Sequence, residues 1–191
     1  MEIAAWHPGN RVAWEIKHAE MLAFVHRYAR KSIPSATFRA LMKLSGREMT
    51  LPGSSLLLAI LQTEDGPRVA GLSCVTNYGR GICLVVVHPL YRGRGLGSAL
   101  LNRQHAVLGN LICRVAPGNL SSLQMCFRAG FSASRLIKSQ TGRAELLLEK
   151  THGCSLDSEL MSDLDFANPF PAKKVIPDDT TGLGHLDTIF K

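Results

Sequence analysis

The sequence predicts a mixed α+β domain, a mostly antiparallel central sheet flanked by helices, followed by a disordered C-terminal tail. Three observations carry this expectation. Two early segments repeat apolar residues at helical spacing, three strand-like runs follow across short turns, and beyond Thr151 the composition turns acidic and proline-rich with no sustained period. The expected organisation is one domain over residues 1–152 and a flexible acidic tail over 153–191.

Taken in order, Arg11 to Arg30 carries Val12, Ile16, Ala19, Leu22, Ala23, Val25 and Ala29 at helical spacing, and Ser35 to Leu44 repeats the pattern after Pro34. The runs Ser55 to Gln62, Arg68 to Val75 and Ile82 to His88 are separated by "EDGP" and "NYGRG", so they predict successive antiparallel strands. Leu96 to Leu108 predicts a helix, "NLICRV" a short strand and Leu120 to Ala129 another helix. Phe131 to Ile137 and Arg143 to Leu148 predict a closing hairpin through "SQTG".

The formal net charge is +7, unevenly distributed. Residues 154–191 hold seven acids and three bases, which leaves 19 bases and 8 acids in residues 1–153, a net +11. A body this basic suits an anionic partner, either a phosphate-bearing cofactor or nucleic acid. The five cysteines are scattered, without C-x-x-C spacing, and read as reduced thiols with no metal site. No apolar stretch approaches the roughly 20 residues of a membrane span and the N-terminus lacks the order of a secretory signal, so a cytoplasmic protein is expected.

The informative stretch is "VHPLYRGRGLGSALL", Val87 to Leu101. Glycines between a strand and a helix let backbone N–H groups approach an anion, and the helix directs its positive end at the same place. The order apolar strand, Pro89, Arg92-Gly93-Arg94-Gly95-Leu96-Gly97, helix resembles the R/Q-x-x-G-x-G/A motif of the Gcn5-related N-acetyltransferase (GNAT) superfamily. "NLSSLQMCFRAGF" resembles that family's asparagine-to-glycine-phenylalanine segment through Asn119, Gly130 and Phe131. The resemblance covers residues 1 to about 150. It implies acetyl-CoA as cosubstrate, held in a splay between the fourth and fifth strands. Implied cofactor-binding residues are Arg92, Gly93, Arg94, Gly95, Leu96, Gly97 and Ser98 around the pyrophosphate, Val86 and Val87 through their main chain along the pantetheine, and Asn119.

Acetyl transfer needs a neutral amine, a polarised thioester carbonyl and a proton for the departing thiolate. The resemblance implies a tyrosine as proton donor seven residues after Asn119, and here Cys126 stands there. A thiol, which ordinarily ionises at about pH 8.5, can donate that proton, although a cysteine on an apolar helix face is more often a packing residue. Ser122, with Ser121 and Tyr78, offers a substitute. His88, at a strand end, is the nearest titratable candidate for a base.

The chain ends "GHLDTIFK". Leu186, Asp187, Ile189 and Phe190 resemble the short peptides that bind sliding clamps, with packing on the body as the competing reading. The basic body and this ending favour an acceptor amine on nucleic acid or on a DNA-associated protein. The alternatives are an acetyltransferase for a small-molecule or protein amine, and a non-catalytic CoA-binding or clamp-binding module.

Overall fold

The computed structural model describes residues 1–139 and 142–150. The expected tail, its docking residues Leu186, Asp187, Ile189 and Phe190, and the boundary at residue 152 lie outside them. The described chain runs β1 (Glu2–Trp6), α1 (Arg11–Ala29), α2 (Ser35–Lys43), α3 (Gly46–Met49), β2 (Ser55–Thr63), β3 (Gly66–Val75), β4 (Cys83–Val87), α4 (Leu96–Leu108), β5 (Leu111–Val115), α5 (Leu120–Arg128), β6 (Ser132–Lys138) and β7 (Ala144–Lys150). Single 3-10 turns occupy Asn77–Gly79 and Pro89–Tyr91.

The strands form two antiparallel sheets, β1-β2-β3-β4 and β5-β7-β6. The mixed α+β, mostly antiparallel expectation therefore holds. One detail of the pairing is not local: β5 lies beside β7 and not β6, so the hairpin inserts its second strand next to β5. No ladder joins β4 to β5 among the described residues, and the edges that face one another there frame the candidate site.

Alternation along the strands sorts the core into layers. Leu56, Leu58, Leu72, Cys74, Leu84 and Val86 face α1, α2 and α3 on one side of the first sheet. Leu57, Ala59, Ala70 and the half-buried Val85 and Val87 face Leu96 and Leu100 of α4 on the other. Leu101 of α4, with Leu123, Cys126 and Phe131, covers Leu111, Cys113 and Leu148 of the second sheet. Helix α4 thus belongs to both sheets. A wholly buried polar group fixes its seat: Gln104 donates through Nε2 to Ser55 O at 3.3 Å and to Ser73 O at 3.1 Å.

Local chemistry sets the helix limits. Asn10 starts α1 by accepting from Ala13 N–H at 2.8 Å. Helix α5 ends as Gly130 N–H bonds Phe127 O and Phe131 N–H bonds Cys126 O, a Schellman closure that turns Phe131 into the core. The face that α1 buries departs from expectation. Trp14, Met21, Val25 and Ala29 are buried, whereas Val12 and Ile16 stay 64% and 58% exposed. Trp14 fills the space nearest α3, its side chain 3.0 to 3.3 Å from where a Cβ on Gly46 would lie. No helix among the described residues is long and apolar enough to cross a membrane.

Candidate active site

The site begins where β4 stops. His88 N–H makes the last rung to Ala70 O at 2.9 Å, and antiparallel alternation then turns the Val86 amide and carbonyl toward Leu72, its register partner. The groups of Val85 and Val87 face the other edge, toward β5. This corrects the expectation for Val86, whose main chain is spent within the sheet. Val85, a residue that the motif does not mark, has its main chain turned to that edge instead.

At that edge the Val87 carbonyl already accepts from Arg92 Nε at 2.9 Å, and a terminal nitrogen of the same guanidinium donates to Tyr28 O at 2.8 Å. The Arg92 side chain therefore ties the last turn of α1 to the end of β4. It is a strut in this arrangement, contrary to its expected use as a phosphate ligand, and its own N–H bonds Pro89 O. Arg94 is exposed and forms no ion pair among the described residues, so its charge remains open to a ligand.

Gly93 and Gly95 have φ of 74° and 80°, and a Cβ on either would meet nothing within 4 Å. Their need for glycine is conformational, and the surface they leave is bare backbone. Gly95 caps α4 without any side chain, so the N–H groups of Leu96, Gly97 and Ser98 point out of the helix end unsatisfied by a cap. Uncapped N–H groups over bare backbone fit a pyrophosphate. Gly97 serves a different purpose: its Cβ would lie 2.5 Å from Met125 Sδ, so glycine lets α4 close on α5. Ser98 reinforces that contact by donating Oγ to Met125 O at 2.9 Å, which leaves only its N–H for a ligand. Leu96 is buried as a side chain and offers only its N–H as well.

Asn119 caps α5, accepting from Ser122 N–H at 3.2 Å and Ser121 Oγ at 3.1 Å. Its side-chain oxygen is committed to positioning the helix that carries Cys126. Ser122 sits half-buried in the first turn of that helix. Cys126 itself is 1% exposed within the α5–β5 core. It hydrogen-bonds the Cys113 thiol, and Cys113 in turn lies 3.4 Å from Cys83 of β4. Three thiols thus run from α5 through β5 to β4. Hydrogen bonds to Cys126 and Cys83, together with burial, push the Cys113 thiol up, while accepting from Cys113 lowers Cys126. The sequence carries all three cysteines but no spacing that reveals their contact.

His88 accepts from Leu90 N–H through Nδ1 at 3.3 Å, and its ring packs edge-on to Tyr28 at 4.5 Å. In a neutral imidazole that arrangement leaves the proton on Nε2 and no second lone pair for an incoming amine. The geometry thus employs His88 as a turn cap, a task that competes with its expected use as a base. Among the described residues no group of three or more His, Cys, Asp or Glu is placed to hold a metal.

An uncapped helix N-terminus thus stands over a glycine loop, beside two strand edges that no ladder joins among the described residues. The family model described as the acetyltransferase (GNAT) family matches residues 16–131. The chain belongs to the GNAT acetyltransferase family. GNAT enzymes use acetyl-CoA, and the loop and helix end described above lie within the matched residues. Solved structures share the fold. A spermidine N-acetyltransferase SpeG chimera from Vibrio cholerae and hSSAT is 13% identical with a TM-score of 0.53, covering 79% of this chain and 96% of its own. A GNAT acetyltransferase from Streptococcus pneumoniae is 19% identical with a TM-score of 0.52, covering 78% and 99%. The aminoglycoside acetyltransferase AAC(6')-Ib, solved with coenzyme A, is 15% identical with a TM-score of 0.51, covering 79% and 95%. A search of curated proteins finds no match.

Proposed function

We propose that this GNAT acetyltransferase moves an acetyl group from acetyl-CoA to an amine carried by nucleic acid or by a protein bound to it. The observation that carries the acceptor class is charge: residues 1–153 hold a net +11, more than one cosubstrate needs. The amine nitrogen bonds the acetyl carbonyl carbon, the carbon–sulfur bond breaks, and the CoA thiolate takes up a proton as the amine loses one. In this reading the N–H groups of Gly93 to Ser98 and the Arg94 guanidinium hold the pyrophosphate, and the edge groups of Val85 and Val87 align the pantetheine. Arg92 and Asn119 position those parts without touching the reacting atoms.

In this reading no described residue serves as the base, because an acceptor whose amine is already neutral at working pH requires none. For the departing thiolate, Cys126 is a buried member of a thiol chain, so packing is its proposed role. Ser122 remains the half-buried hydroxyl nearest by position in the chain, four residues before Cys126 on the same helix.

A second reading, a small polyamine or aminoglycoside acceptor, is favoured by what two structural neighbours are named for. Labelled acetyl-CoA offered together with DNA, RNA, a DNA-binding protein and spermidine decides between them. Label in nucleic acid or in the DNA-bound protein is the expected result; label confined to spermidine, at a rate indifferent to DNA, overturns it. The terminal residues Leu186, Asp187, Ile189 and Phe190 are further proposed to dock on a sliding clamp and so to raise the local concentration of the enzyme at its acceptor.

A further inference from the structure

We infer that a cationic pocket at the C-terminal end of α1 binds a backbone phosphate of the nucleic acid, an assignment that rests on the acceptor class proposed above. The pocket encloses about 430 Å³ and is lined by His26, Arg27, Tyr28, Arg30, Lys31 and Ser32. Three of these are permanent cations, none is an acid, and Arg27, Arg30 and Lys31 take part in no ion pair among the described residues. The guanidinium of Arg27 stacks 5.5 Å from the centre of the Tyr28 ring, and that of Arg30 lies 5.1 Å from the centre of the Phe38 ring. Ring contacts limit the motion of both forks, and ordered planar donors suit phosphate.

Basic residues near a helix C-terminus offset the helix dipole, which is the plainer account of this cluster. Two features exceed it. The carbonyl of Tyr28 in that last turn is already satisfied by Arg92, and the remaining cations surround a concavity of a size that takes a ligand group. The position matters too. Helix α1 packs on the sheet face formed by Leu84 and Val86, whereas α4 packs on the face with Val85 and Val87. The pocket thus belongs to the helix on the other sheet face from α4, and Arg92, which opens the glycine loop, bonds its Tyr28 carbonyl. Tyr28 joins it to the end of β4 through His88 and Arg92. A polyanion seated there meets three uncompensated positive charges beside the end of β4, and a polyamine is repelled by them.

The test uses the full chain with Arg27→Glu, Arg30→Glu and Lys31→Glu combined. A control of equal charge change, Arg135→Glu, Lys138→Glu and Arg143→Glu, reverses exposed cations on β6 and the β6–β7 turn. The neutral set Arg27→Gln, Arg30→Gln, Lys31→Gln covers any disturbance of α1 by reversal. Binding of a labelled DNA duplex is followed by anisotropy across a salt series, and acetyl-CoA and its 3'-dephospho form are titrated by calorimetry. The expected result is DNA affinity roughly tenfold or more weaker for both α1 sets than for the control, with a log–log salt slope shallower by about 2 to 3. Affinity for acetyl-CoA should be unchanged.

Equal loss in the control and α1 sets, or no binding of DNA by the unmodified protein, overturns the site. Loss of acetyl-CoA affinity that disappears with the dephospho form also overturns it, by assigning the pocket to the cosubstrate's own phosphate. Failure of the acceptor reading looks different: DNA bound through the α1 cations yet never acetylated, with no acetylation of a bound protein, removes the acceptor and leaves the pocket standing.

Discussion

At Cys126 the chemistry turns on access. A side chain 1% exposed and hydrogen-bonded to a second thiol is held as a core member, so Cys126→Ala or Cys126→Ser should reduce kcat only modestly. General acid catalysis is worth about 100-fold or more, and a fall in kcat of that size, with melting temperature and acetyl-CoA affinity intact, would reassign the residue as the proton donor. Arg92 makes the opposite case, an exposed cation with a structural task. Arg92→Lys keeps the charge but cannot span both Val87 O and Tyr28 O with a planar fork, so it should lower the melting temperature almost as much as Arg92→Ala. Full rescue by lysine would instead mark the charge as what matters. Glu48 supplies a pH signature. Hydrogen bonds from Ser45 lower its carboxyl below the ordinary value, so it stabilises the fold while ionised; that contribution is complete above its unfolded value of about 4.5 and is lost as pH falls through the lower folded one. The difference in melting temperature between wild type and Glu48→Gln should therefore be largest near neutrality and shrink below about pH 4.5.

At the scale of elements, the proposed acetyl-CoA site stands at the start of α4, and the two motif glycines there fail differently when changed. Gly95→Asp places a charged side chain on a residue at φ 80° where the surface is open, so the fold should survive while calorimetric affinity for acetyl-CoA is abolished. Gly97→Ala should instead act on the α4–α5 contact through Met125, lowering stability first and affinity second. Undiminished affinity in a folded Gly95→Asp variant would move the pyrophosphate elsewhere. Helix α4 and β2 to β4 were legible because each has a strong local signal: sustained period, turn residues, or glycines at a loop. Strand β1 was not, since "EIAAW" is short and becomes a strand only by pairing with Leu56 to Ile60. Helix α3 has four residues, too few to show a period, although its Ser45 and Glu48 form a capping box whose S-x-x-E pattern stood in plain view. The placement of β7 between β5 and β6, the thiol chain and the Arg92 strut all join residues far apart in sequence, and no local pattern encodes such partners.

For the whole molecule, charge is divided between a basic body and an acidic tail of net −4, and the proposed function gives attraction to the first and tethering to the second. Deleting residues 184–191 should leave the melting temperature and acetyl-CoA affinity unchanged while removing retention on a clamp, because the proposed anchors serve a partner. Were they packed on the body, the deletion would cost roughly 1.5 to 3 kcal/mol for each large apolar side chain, and a clear fall in melting temperature would show it. The missing ladder between β4 and β5 has a consequence for observation as well. Val85 and Val87 turn their amides toward an edge to which no strand is bonded among the described residues, while Val86 is locked to Leu72. In deuterated water the amide hydrogens of Val85 and Val87 should exchange within the earliest time points and that of Val86 far more slowly. Saturation with acetyl-CoA should protect the fast pair, so neighbouring valines in one strand report occupancy of the site without any assay of turnover.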